Sequence, residues 1–134
     1  MSIIYKLTRR PASLDDVSLE LKKRGIDQVQ IIFENKRTSN FDGPVTIREA
    51  KIKGGDKINF KVGDFDFPSM MAPSVAAWEL DFKLHQQMLE ERVVEAGLFL
   101  AQKGINVTVA GENLHEFVSQ RFPEKISTPY QKER

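Results

Sequence analysis

The feature that most constrains this chain is one uninterrupted helical pattern running from Ser74 to Lys103. No proline falls inside it, and Gly97 is the only residue in it that strongly disfavours a helix. Apolar residues recur along two stripes. One holds Val75, Trp78, Phe82, His85, Leu89, Val93, Ala96 and Leu100; the other holds Ala77, Leu80, Leu84, Met88, Val94 and Leu98. Glu79, Lys83, Gln86 and Glu90 form the remaining polar strip. A helix lying on one surface needs a single apolar stripe, so two stripes predict cover on both sides. A continuous helix of about 29 residues would be roughly 43 Å long. A domain of this size has a radius of gyration near roughly 14 Å. The helix must therefore protrude, bend at Gly97, or pack on another subunit.

The flanking segments read as strands and shorter helices. "IIYKL" (3–7) is a short strand. "PASLDDVSLELKKRG" is a helix with Ser13 as N-cap, Asp15 and Asp16 in the first turn, and Lys22, Lys23 and Arg24 before Gly25. Leu14, Val17 and Leu21 share its inner face. "DQVQIIFE" alternates as a half-buried strand, with Val29, Ile31 and Phe33 inward. "NKRTSNFDGP" reads as a turn-rich connection, and "VTIREAKI" as the next strand. Its apolar phase changes between Ile47 and Ala50, which suggests a bulge near Arg48 and Glu49. "KGGD" is a hairpin turn, and "KINFKV" places Ile58, Phe60 and Val62 on the core side. After the long helix come a buried strand, "GINVTVAG", and a last helix, "ENLHEFVSQRF", with Leu114, Phe117, Val118 and Phe122 inward.

In "VGDFDFPSMMAPS" (62–74) the apolar phase flips at Gly63, where a second bulge would sit. Phe65 and Phe67 then still reach the core, and Asp64 and Asp66 share the solvent face. Met70 and Met71 suit either a core plug or an exposed adhesive patch.

The resulting expectation is an α+β fold of order β-α-β-β-β-α-β-α. Its mainly antiparallel sheet is packed by one long helix and two shorter ones. The 134 residues, 40% hydrophobic and 29% charged, fit a single domain over 1–122 with a polar tail over 123–134. The absence of cysteine excludes disulfides and thiolate metal sites, and the default setting is a reducing cytoplasm. "MSIIYKLTRR" lacks the layout of a signal peptide, and no run approaches 18 apolar residues, so no membrane span is expected.

The net charge of +1 conceals a split: residues 1–61 carry 13 Lys/Arg and 8 Asp/Glu, and residues 62–134 carry 7 and 11. The basic first half raises an electrostatic nucleic-acid surface built from Arg9, Arg10, Lys22, Lys23, Lys57 and Lys61. Without aromatic interleaving on the strand face, a single-strand stacking platform is not indicated. The competing reading is two solvated faces, or halves that complement each other within an oligomer.

The most chemical-looking run extends from "NFDG" to "REAKIK". Glu49 and Lys51, two apart on a strand, point the same way. A carboxylate holding a divalent metal beside a lysine that supports an attacking water is a workable hydrolytic pair. This pair resembles the E-x-K half of the PD-(D/E)xK nucleases, and the α-β-β-β-α-β order over 13–109 is similar to that family's core. The resemblance implies Mg²⁺, with Asp42 as second ligand and Glu20 and Gln86 in supporting roles. Without the resemblance, the same residues read as a charged ladder on a solvated strand face. His85 and His115 form no catalytic or zinc pattern, and His85 reads as a core histidine.

Lacking a convincing catalytic or cofactor-binding set, the chain is expected to be a non-enzymatic binding or assembly protein. It would work through protein–protein contacts, as a homo-oligomer, with Met70, Met71, Leu84 and Met88 facing partners.

Overall fold

The computed structural model describes residues 13–40, 43–56, 58–68 and 75–125. Helix α1 (Leu14–Lys23) begins where a reciprocal cap closes. Ser13 Oγ accepts from the Asp16 amide at 3.1 Å, and the Asp16 carboxylate accepts from the Ser13 amide at 3.2 Å. Acids in its first turn and lysines in its last complement the helix dipole, and Val17 and Leu21 are fully buried. Strands β1 (Gln28–Asn40), β2 (Gly43–Gly54) and β3 (Ile58–Pro68) follow as an antiparallel meander. Then come α2 (Val75–Gln102), β4 (Asn106–Val109), β5 (Glu112–Asn113) and α3 (Leu114–Arg121).

The sheet order is β3-β2-β1-β4-β5, with β4 parallel to β1 and every other pairing antiparallel. The α+β class, the mainly antiparallel sheet and the single long helix agree with the sequence reading. The order of elements differs at one place. A two-residue turn at Ala110 (φ 51) and Gly111 (φ 85) folds β5 back on β4 before α3 starts. The strand expected at 3–7 lies outside the described residues, as does the tail from 126 onward.

Two local expectations change. The segment read as a connection, 35–40, continues β1 instead: the β1–β2 register runs unbroken from Gln30↔Lys53 to Asn40↔Gly43. Asn, Ser and Thr favour turns through local side-chain bonds, and here cross-strand pairing outcompetes that tendency. The unbroken register also leaves no bulge against β1 at Arg48 and Glu49. The phase change there has another cause. Val45 and Ile47 are half-buried on the outer face of the sheet, while Ala50 and Ile52 are fully buried on the inner face. The bulge sits on β3: Ala50 pairs with Gly63 but Lys51 with Lys61, which leaves Val62 as the extra residue. Of the paired glycines in the β2–β3 turn, Gly55 has positive φ (58°) and Gly54 does not. Gly54 serves for space, since a Cβ there would lie 2.8 Å from Leu21 Cδ2.

Helix α2 is one 28-residue helix, and Gly97 does not interrupt it. A Cβ on Gly97 would meet Leu114 Cδ1 at 2.7 Å, so this glycine lets α3 approach closely. Helix α2 packs on β3 and, across the sheet, on β4. The 28 helical residues span roughly 42 Å, and the 13 residues of β1 span roughly 43 Å. The core lies under one end of this layered pair. Val29, Ile31, Ala50 and Ile52 from the sheet meet Leu89, Val93, Val94 and Leu100 from α2, with Val17 and Leu21 of α1 and Phe117 and Val118 of α3.

Candidate functional site

Cross-strand partners share a face, so the register assigns every side chain of the meander. On the outer face, one rung carries three carboxylates across three strands, Glu34, Glu49 and Asp64. Lysines stand above and below it. Lys51 Nζ lies 3.2 Å from Glu34 and 3.4 Å from Glu49, Lys36 Nζ 3.5 Å from Glu49, and Lys61 Nζ 2.8 Å from Asp64. The bond from Lys51, and then its charge, hold the Glu34 carboxyl below its ordinary value. For Lys51, desolvation is the largest influence and opposes its charge. Glu34 and Glu49 together outweigh it and hold the ammonium above its ordinary value. The bond to Asp64 does the same for Lys61. This face is a neutralised ladder in which each acid of the rung already has a lysine.

The inner face under the first half of α2 is of another kind. Phe65 and Phe67 of β3 meet Trp78, Phe82 and His85 of α2 in one aromatic layer. Phe82 sits at its centre, 4.9 Å from Phe67 edge-on, 5.6 Å from Phe65, and stacked on Trp78 at 5.6 Å. Both phenylalanines thus reach the helix side of the sheet, as the phase flip at Gly63 implied. His85 differs from the expected core histidine: it is half-exposed at the rim of the layer, with Nδ1 2.8 Å from the Asp81 carbonyl oxygen.

Beside this layer Arg48 crosses from sheet to helix. Its Nε donates to Gln86 Oε1 at 2.6 Å, a terminal nitrogen donates to Asn35 Oδ1 at 3.0 Å, and its guanidinium lies 5.1 Å from the Phe33 ring centre. Burial holds its pKa below the ordinary arginine value, against the opposing charge of Glu90. Gln86 donates to Glu90 at 3.2 Å, and Arg121 of α3 approaches Glu90 at 3.6 Å. The sequence reading missed Arg48 and this network. Its one signal was Arg48's even position on β2, which shares a face with Ala50 and Ile52.

The outward side of α2 is exposed over its first half. Leu80, Leu84 and Met88, on successive turns, are 72%, 55% and 52% exposed, and Val75 at the helix start is 53% exposed. Further along, the second stripe goes inside: Val94 is fully buried and Leu98 half-buried. At the far end of α2 a cleft of about 700 Å³ opens between α2, β4 and α3, with Leu98, Ile105 and Leu114 as its apolar wall and Asn106, His115 and Lys125 among its polar groups.

These positions scatter the residues grouped for a nuclease. Glu49 and Lys51 lie on the outer face, and Gln86 lies on the helix covering the inner face, engaged by Arg48. Glu20 is on α1 and pairs with Arg24 at 3.0 Å. Asp42 is outside the described residues, and Phe41, not proline, precedes it. Among the described residues no three His, Asp or Glu side chains are grouped to hold a metal ion. Of the nucleic-acid candidates, Lys22 and Lys23 end α1 and Lys61 is on β3 beside Asp64, while Arg9, Arg10 and Lys57 are outside the described residues. Of the partner-facing set, Leu84 and Met88 are exposed, while Met70 and Met71 are outside the described residues. No described helix is long and apolar enough to cross a membrane. Comparison with protein-family models, curated proteins and solved structures finds no match.

Proposed function

We propose that this is a non-enzymatic assembly protein that associates with copies of itself through the exposed face of α2. The observation that carries the reading is the row Leu80, Leu84 and Met88. Single exposed apolar residues are ordinary on any surface. Three large ones at i, i+4 and i+8 form a continuous strip along a rigid element, the form that helix-mediated recognition uses. Among the described residues the titratable groups offer no competing site of equal definition, because the outer-face acids and lysines pair with one another. A helix-face contact of this extent belongs to the small, reversible class of interfaces.

Light scattering on the full chain tests the reading. The mean mass should rise with concentration into the high micromolar range, and Leu84→Glu should hold the protein monomeric with unchanged circular dichroism. A wild-type protein that stays monomeric throughout that range would refute self-assembly.

A further inference from the structure

We infer that the two copies pair through antiparallel α2 helices, with the twofold axis at Leu84; this rests on the assembly reading above. The strip is symmetric about that residue, with Leu80 four positions before it and Met88 four after. An axis at Leu84 sets Leu80 against the partner's Met88 at both ends, and sets Leu84 against its own copy. Three apolar layers then close in a self-complementary contact.

Charge selects this direction. Past Met88 the same outward face turns acidic at Glu91 and Glu95, which share one ammonium, Lys125, at 3.6 and 4.0 Å. A parallel pair would lay each copy's Glu91 and Glu95 on their counterparts. The antiparallel pair carries them to the start of the partner's α2, with Glu91 opposite Ala77. That end of a helix carries partial positive charge, and the described first turn of α2 holds no acid of its own. The helices also run with opposed dipoles.

The chain has no cysteine, so introduced cysteines report register without background. Under mild oxidation Leu84→Cys should link to itself, and Leu80→Cys mixed with Met88→Cys should give the mixed dimer. Met88→Cys alone should stay unlinked, since the antiparallel geometry separates the two copies of residue 88 by about 12 Å along the axis, beyond disulfide reach. Glu91→Lys should weaken the dimer by about two- to fivefold, whereas in a parallel pair it would relieve repulsion and tighten it. Self-linking of Met88→Cys as fast as Leu84→Cys, in a protein that still dimerises, would overturn the antiparallel pairing and leave the assembly reading standing. A protein that neither dimerises nor links at any of the three positions would overturn both.

Discussion

The two halves of α2 share one helix and one style of sequence, yet they live in different surroundings. From Leu89 to Gln102 the helix buries Leu89, Val93, Val94, Ala96, Gly97 and Leu100 under the sheet, α1 and α3. From Val75 to Met88 no residue is fully buried. That half lies on β3 through aromatic rings and turns three large apolar side chains outward. An apolar stripe states that a helix face is to be covered, and the stripe alone does not say by what. Here the same second stripe is covered from within at Val94 and Leu98 and left open from Leu80 to Met88.

The sharpest way to break this contrast is a matched pair of truncations. Leu100→Ala should cost about 2–5 kcal/mol in a denaturant melt, because it empties a fully buried site. Leu84→Ala should stay within about 0.5 kcal/mol at concentrations where the protein is monomeric. Similar losses in the two variants would erase the distinction between the halves. Of intermediate size, Phe82→Ala should cost about 2 kcal/mol, below the range for a fully buried phenylalanine because the ring is half-buried. A melt indistinguishable from wild type would mean that the aromatic layer does not hold the first half of the helix to the sheet.

The smallest effect concerns the reverse side of the same hairpin. Because the folded-state pKa of Glu34 is depressed, its contribution to stability is present above the ordinary carboxylate range and lost as pH falls through the lowered value. Lys51 is raised, so its contribution holds below the ordinary lysine value and fades as pH rises through the higher one. Lys51→Met should raise the Glu34 pKa toward the ordinary carboxylate range, read by carboxyl-carbon NMR, with Lys53 and Lys36 still holding part of the depression. An unmoved Glu34 would show that this ladder does not sense its lysine.

Much of this architecture was legible because it obeys local rules. Ser13 capped its helix, the flip at Gly63 located a bulge, and the alternation of Val29, Ile31 and Phe33 named the core face of β1. What escaped depended on pairing between distant segments. Asn35, Ser39 and Asn40 favour turns, and pairing with the facing strand makes 35–40 extended. Arg48 read only as the place of a suspected bulge until register placed it opposite Asn35 and beneath Gln86. The grouping of Glu49 and Lys51 with Gln86 failed for a related reason: spacing along a strand gives the face, but not which face the helix covers.

Helix α2 is held at two places of different chemistry, by aromatic rings on β3 in its first half and by buried aliphatic residues from Leu89 onward. The residues between these two anchors therefore set an angle as well as a distance. A single-residue deletion there would rotate one end by about 100° relative to the other, turning either the aromatic rings or the aliphatic residues away from the sheet. Loss of about seven residues, two turns, would instead return both ends to the same angular phase.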